Sequence, residues 1–302
     1  MNLETPAGMS LSAMPTETLK NFVAEIFAKL GVPSEAARLA AAAFVAADVH
    51  GVSAHGLTLV PTYVERMLAG AVSSASEPAV VHDGGSAIVL DARNTLGPLS
   101  ADWAIPMVSE RAREHGLACI AVRNGAHFGT AAFWARQIAE AGLIGIVMSN
   151  RRPTKAPPGG SEPLTGNNAL AIALPSTEPH PFVMDLDAKT APLDPASAIA
   201  ALLAPNSGAR SFGLSAAIDL LCGGLSGGPL GPTTDTFGCS QLFMAIDPAR
   251  FGVSDLPTRV AEFTGRIRSA PPVNEDECLL EPELVAKLKE CAAKVGVQAE
   301  LR

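Results

Sequence analysis

Residues 117–149 constrain the fold more than any other stretch of this chain. LACIAV (117–122) is an apolar, β-branched run. RNGAHFG follows as a loop, TAAFWARQIAEAG has the spacing of an amphipathic helix, and LIGIVMSN is a second apolar run. Strand, loop, helix and strand in that order make a βαβ unit, whose strands run parallel and whose crossover is right-handed. An α/β fold with a sheet is therefore expected. The loop aims backbone N–H groups and a helix N-terminus at one spot, a geometry that suits a phosphate. Gly125 and Gly129 would permit close approach, Thr130 can cap the helix, and His127 reads equally as a packed loop histidine. No GxGxxG follows the strand, so an ordinary Rossmann dinucleotide site is not supported.

The flanking segments place this unit between helices. TETLKNFVAEIFAKLG has Thr16 as its cap, Leu19, Phe22, Val23, Ile26, Phe27 and Leu30 on one face, and Gly31 as its stop. A second helix runs from a Ser34 cap to Gly51, and a third, LVPTYVERMLAG, carries Pro61 near its start and ends at Gly70. SAIVLDA reads as a strand, and LSADWAIPMVSERAREHG as a helix kinked at Pro106. Further strands are expected in ALAIALP, PFVMDLD and QLFMAID, and helices at 194–204, 211–222 and 281–294, with GGLSGGPLGP as a flexible loop.

Composition narrows the function. The net charge is −8 and no basic run stands out, which argues against nucleic acid or an anionic membrane as partner. No apolar run reaches the roughly 18 residues that a membrane span needs. The first fifteen residues lack a basic segment followed by an apolar one, so no secretory signal is expected. Five scattered cysteines without a CxxC pair fit reduced thiols. Together these point to the cytoplasm.

ADVHGVSAHGLTLV (47–60) holds two of the six histidines. His50 and His55 are five apart, whereas zinc-binding helices use i, i+4, and Gly51 interrupts the helix between them. No metal site is expected, and His50 reads as part of the turn. PGG (158–160) and TGNNAL (165–170) form a second glycine-containing loop, and FVMDLD puts Asp185 at the end of an apolar strand.

In chain order, AD-x-x-G-x-x-x-HG, Tyr63-V-x-R-x-x-x-G, N-G-A-HFG, AGLIGIVMSN, PxGG, GNNALAIALP, FVMDLD, FGLSAAIDLLCGGLSGG and FMAIDPARF resemble the malate/L-lactate dehydrogenase-like family of NAD(P)-dependent oxidoreductases. That family includes sulfolactate and ureidoglycolate dehydrogenases and the Δ1-piperideine-2-carboxylate/Δ1-pyrroline-2-carboxylate reductases. The resemblance covers nearly the whole chain. It implies a non-Rossmann, L-sulfolactate dehydrogenase-like α/β fold with a mixed sheet and helical N- and C-terminal segments. The implied division is a substrate and dimerisation domain (1–115 with 208–302) and a cofactor-binding domain (116–207), in a homodimer acting on a small-molecule substrate. It further implies that His55 is the proton donor or acceptor at a carbonyl or imine, with Asp185 supporting it. His127, Phe128, Gly129, Thr130, Ala131, Asn168 and Arg210 would contact NAD or NADP, and Tyr63 and Arg152 would contact substrate. The chemistry is coherent: hydride delivery to C=O or C=N leaves charge that an imidazole near neutrality can protonate, and a carboxylate can orient that imidazole.

Several positions depart from the family pattern. Ala54 stands where the family has serine before the histidine, and Leu59 where it has an arginine that would clamp a substrate carboxylate. Arg210-Ser211 replaces a Lys-Gly pair, Asp185-Leu186-Asp187-Ala188-Lys189 replaces D-M-A-T-S, and the stretch from Asp185 to Arg210 is shortened. Two readings follow. One is a working reductase with altered substrate recognition, with Arg151 or Arg152 taking the carboxylate. The other is a homologue that keeps the fold for binding, assembly or cofactor-independent chemistry.

Overall fold

The computed structural model describes residues 12–74, 77–157, 159–186, 209–230, 238–266, 274–298 and 301. They fall into two compact units, Met1–Ala75 with Pro272–Arg302, and Ser76–Pro271. This division differs from the expected boundaries at 116 and 207. The strands at 79–83 and 87–91 and the helix at 97–115 hydrogen-bond and pack into the sheet, so they belong with it. Residues 209–266 return to the same sheet by supplying one of its central strands.

The helical unit contains β1 (Ser12–Pro15), α1 (Thr16–Lys29), α2 (Ser34–Val49) and α3 (Val60–Leu68), closed by β9 (Glu277–Leu280) and α8 (Pro282–Lys294). β1 and β9 pair antiparallel, from Ser12 opposite Leu280 to Pro15 opposite Glu277. Neither Thr16 nor Ser34 is an N-cap. Pro15 and Pro33 occupy the cap positions in extended conformation, and each expected cap residue is the first residue of its helix. Thr16 instead donates its hydroxyl to the Glu275 carbonyl at 3.0 Å, tying α1 to the approach to β9. Phe27, Phe44 and Tyr63 bring one ring from each of three helices into an aromatic core, with centroids 5.4–6.5 Å apart.

The sheet unit contains β2 (Ala79–Asp83), β3 (Ala87–Asp91), α4 (Gly97–His115), β4 (Leu117–Ala126), α5 (Ala131–Glu140), β5 (Ile144–Ser149), β6 (Ala169–Leu174), β7 (Phe182–Asp185), α6 (Ala209–Asp219), β8 (Gly238–Ile246) and α7 (Leu256–Gly265). Its seven strands lie in the order β2-β3-β4-β8-β5-β6-β7. Among the described strands only β3 and β4 pair parallel, through the α4 crossover. The sheet is therefore mixed, as the resemblance implied. The expected β4-α5-β5 unit is split, because β8 lies antiparallel between its two strands. β4 and β5 still point the same way, but they are not neighbours.

Alternation along these strands decides which helix each face meets. Ile120, Val122, Val147, Phe243 and Ala245 are buried on one face, where Phe243 meets Phe128 beside α5. Cys119, Ala121, Met148, Leu170, Leu242 and Met244 pack on the other face with Leu214 and Ile218 of α6 and Cys222 of the π-helical turn Leu220–Gly224. Gly145 keeps α5 close: a Cβ there would lie 2.7 Å from the Ala135 carbonyl oxygen and 2.8 Å from Ile138 Cβ. α4 runs through Pro106, which lies on its exposed side and brings no N–H to the helix ladder there. The helix expected at 194–204 lies outside the described residues. No helix among the described residues is long and apolar enough to cross a membrane.

Candidate active site

The site residues named from the sequence divide between the two units, and each half is built from its own elements. In the helical unit α2 ends at Val49 with His50 as its C-cap, and a tight turn (Ser53–His55) leads to a second (Leu57–Leu59) that feeds α3. His55 ends the first turn. It is only 4% exposed, and its N–H donates to the Val52 carbonyl at 2.8 Å. His50 serves the turn, as expected: its exposed ring bonds the Ala46 carbonyl through Nδ1 at 2.9 Å, and its Nε2 faces Glu275 at 3.6 Å. Ala54 is exposed and Leu59 half-buried. Tyr63 has no accessible surface, since its ring is enclosed between Phe27 and Phe44.

One residue of this half was missed. Asp48 accepts the Leu57 N–H at 2.6 Å and a side-chain hydrogen bond from Ser53, while its own carbonyl receives the Gly51 N–H at 2.9 Å. Burial pushes its carboxyl up to about 6, and those hydrogen bonds pull the other way. The aspartate was visible in the AD-x-x-G motif, but its reach to residue 57 is a tertiary fact that spacing does not carry.

In the sheet unit, β4 extends through Ala126, so RNGA is strand where a loop was expected. The ladder with β8 shifts register between Val122 and Gly125, and Asn124 takes a positive φ of 52° at that bulge. The remaining HFG turn leads into α5. Thr130 is its N-cap, as expected, accepting the Phe133 N–H at 3.3 Å. Gly129 has φ +87°, which glycine adopts without penalty, and its N–H meets His127 Nδ1 at 3.3 Å. Phe128 is buried, stacked on Trp134, and its carbonyl takes the Trp134 indole N–H at 2.7 Å. Its side chain belongs to the core. Thr130 and Ala131 are buried as well, and His127 is half-buried.

Asn168 lies in a polar network that ties the start of β6 to the exit of β5 and to α6. Its Oδ1 accepts the Arg151 N–H at 2.9 Å, and its Nδ2 reaches Thr165 Oγ1 at 3.1 Å and the Ser215 carbonyl at 2.7 Å. Thr165 in turn donates to Asp219. Three hydrogen bonds give this side chain a structural duty that the resemblance did not assign. Arg152 is exposed on the 151–157 segment, and Asp185 ends β7 opposite Ala171. Arg210 stands in the first turn of α6. Its side chain lies outside the described residues, as does the shortened stretch beyond Leu186.

The HFG turn and the start of α5 suit the phosphates of a nicotinamide dinucleotide. The HFG turn folds on a glycine of positive φ, and the first-turn N–H groups of α5 project along the helix axis, an arrangement that suits phosphate oxygens.

A family model described as malate/L-lactate dehydrogenase matches residues 14–192 and 186–300. The L-sulfolactate dehydrogenase of Methanocaldococcus jannaschii is 27% identical over 307 residues, covering 90% of this chain and 89% of the relative. The malate dehydrogenase of Pyrococcus abyssi is 35% identical over 180 residues, 60% of this chain; the chain spans about half, 49%, of that relative's length. The solved structure of malate dehydrogenase from Pyrococcus horikoshii OT3 superposes with a TM-score of 0.84 at 25% identity, covering 98% of this chain and 99% of that one. With matches running from residue 14 to residue 300, the chain belongs to the malate/L-lactate dehydrogenase family.

Proposed function

We propose that the protein is an NAD(P)H-dependent oxidoreductase acting on a small 2-oxo or 2-hydroxy acid or a cyclic imino acid. The observation that carries this reading is His55. A buried imidazole sits at the end of a turn whose backbone is hydrogen-bonded on both sides, as an acid–base group needs to be held. The names of the relatives agree with the reaction class.

The dinucleotide, when bound, supplies or accepts the hydride. His127, Gly129, Thr130 and Ala131 are assigned to hold it, chiefly through the backbone of the HFG turn and the α5 N-terminus. Phe128 is assigned a supporting place beneath that turn, and Arg210 a contact with the cofactor. Asn168 is assigned to shaping the neighbouring backbone. His55 gives a proton to the carbonyl oxygen or imine nitrogen on reduction and takes it back on oxidation. Asp185 is the supporting carboxylate. Arg152, exposed and cationic, is assigned the substrate carboxylate that Leu59 cannot bind. Tyr63, fully enclosed with its hydroxyl, is assigned a supporting place behind the substrate side. A homodimer in the cytoplasm completes the reading.

NADH and NADPH binding, followed by fluorescence and thermal shift, tests it with a panel of 2-oxo acids and cyclic imino acids. Binding of one nucleotide and turnover of one substrate class are expected. His55→Ala should abolish turnover and leave nucleotide affinity within about twofold. If well-folded protein binds neither nucleotide, the reading fails. Leu59 favours the second reading, a homologue that keeps the fold without redox chemistry, and that outcome would select it.

A further inference from the structure

His55 sits midway between two residues that one carboxylate grips. Asp48 takes the side-chain hydrogen bond of Ser53, two residues before the imidazole, and the N–H of Leu57, two residues after it. The same residue's carbonyl receives the Gly51 N–H, and the adjacent Ala47 carbonyl receives that of Val52 at 2.7 Å. The last turn of α2 is thus fastened to the loop at 51, 52, 53 and 57. Thr58 adds a hydroxyl bond to the Ser53 carbonyl, and Gly56 N–H another at 3.1 Å.

The loop is shaped around the carboxylate. A Cβ on Gly56 would overlap Asp48 Oδ2 and lie 3.0 Å from the Phe44 carbonyl oxygen. Any side chain at 56 would displace either Asp48 or the loop, and the residue that would move with it is His55, the immediate neighbour. Asp48 also carries a burial cost, which pushes its carboxyl up to about 6. A group held against such a cost by two loop donors is a fastening, not a solvated surface charge.

We propose that Asp48 is the positioning residue for His55: its carboxylate clamps the turn on both sides of the imidazole, and the bare Cα of Gly56 is what lets it reach. The proposal rests on His55 being the acid–base group, and it supplies the reason a turn outside any long helix can hold that ring still.

The test separates position from chemistry. The full-length protein, with 13C-labelled histidine, is compared as wild type, Asp48→Ala and Asp48→Asn, first without nucleotide and then in steady-state kinetics. In Asp48→Ala the His55 ring signals should shift and broaden while those of His82, His115 and His180 stay in place. kcat should fall at least tenfold, with nucleotide Kd within twofold. Asp48→Asn, which returns an acceptor oxygen to the Leu57 N–H, should restore a single His55 environment and recover most of kcat. If Asp48→Ala does not fold, Asp48→Ser, whose hydroxyl stops short of Leu57, takes its place. Wild-type His55 signals in a folded variant lacking the acceptor would overturn the proposal, as would Asn failing to restore them. If no substrate is turned over, the reductase reading falls, and the nucleotide-free spectra still decide whether Asp48 positions His55.

Discussion

Gly97 lies directly against the backbone of His127: a Cβ at 97 would overlap the His127 carbonyl oxygen and come within 2.5 Å of that of Ala126. The first residue of α4 is therefore pressed on the start of the HFG turn, and only glycine fits there. Gly97→Ala should lower stability by about 2–3 kcal/mol, the scale of overpacking in a rigid contact. Since the strain falls on the turn assigned to the nucleotide, affinity should weaken as well. Urea unfolding and nucleotide titration of the purified variant check both. A fully stable Gly97→Ala protein would mean that the helix start yields freely.

Gln241 holds the same region from inside the sheet. Fully buried, it donates from Nε2 to the Ala126 carbonyl at 2.9 Å, and its Oε1 faces the Ser100 hydroxyl at 3.0 Å. Ser100 also reaches the Gly97 carbonyl, so its single hydrogen is shared between two acceptors. Gln241→Leu keeps most of the volume and leaves the Ala126 carbonyl without this donor. A loss of about 1–3 kcal/mol is expected from the unpaired buried carbonyl. Thermal unfolding should show it, and Gln241→Glu should be worse, since a carboxylate there would face a carbonyl.

The physics of these contacts explains what the sequence could reveal of the fold. Helices α1 to α5 and the apolar strands were legible because their information is local: a 3.6-residue stripe or a short β-branched run. The insertion of β8 between β4 and β5 was not, because its partners lie about a hundred residues or more away, as Ile144 and Leu117, both opposite Ile246, illustrate. β1 and β9 are four residues each, too short for alternation to show. The two displaced caps share one cause: a proline in extended conformation already ends the loop, and the Thr or Ser after it is helical.

Asp48 also makes a pH prediction. Its carboxyl rises to about 6 in the folded chain against 3.8 for the unperturbed group. The folded state holds that proton more tightly, so the group's stabilising contribution is complete below about 3.8 and is lost as pH rises through 6. The loss is at most about 3 kcal/mol and less by whatever water screens this part-buried group. Asp48→Asn does not titrate. Relative to wild type it should therefore gain stability as pH rises from 4 to 7, by up to that amount. Urea titrations of both proteins at several pH values give the difference, in which the other ionisable groups cancel. A pH-independent difference would contradict the raised carboxyl.

The site was legible unevenly, for reasons the residues make plain. His55 stood out because a motif carries it, and its burial agrees with a held group. Phe128 and Asn168 belong to motifs just as recognisable, yet their side chains serve the core and a polar network respectively. A motif records which residues occur together and not which way each one faces. Asp48 shows the converse, since its partner Leu57 is nine residues away around a turn whose path no periodicity describes.

Thr130 gives the most direct test of the nucleotide site proposed at the start of α5. It caps α5 by accepting the Phe133 N–H, and it is buried with φ −85° and ψ 145°, a conformation that suits a β-branched residue. Thr130→Val keeps shape and backbone preference and removes only the cap oxygen. Stability should fall by about 1 kcal/mol, the usual value of such a cap. The Phe133 N–H, released from Thr130, then competes for the same space as the other first-turn donors, and fraying there should weaken nucleotide binding severalfold without changing the His55-dependent step. Thr130→Ser, which retains the oxygen, should keep that affinity. Nucleotide titrations on the two variants separate the outcomes: equal affinity in both would remove the α5 N-terminus from the binding site.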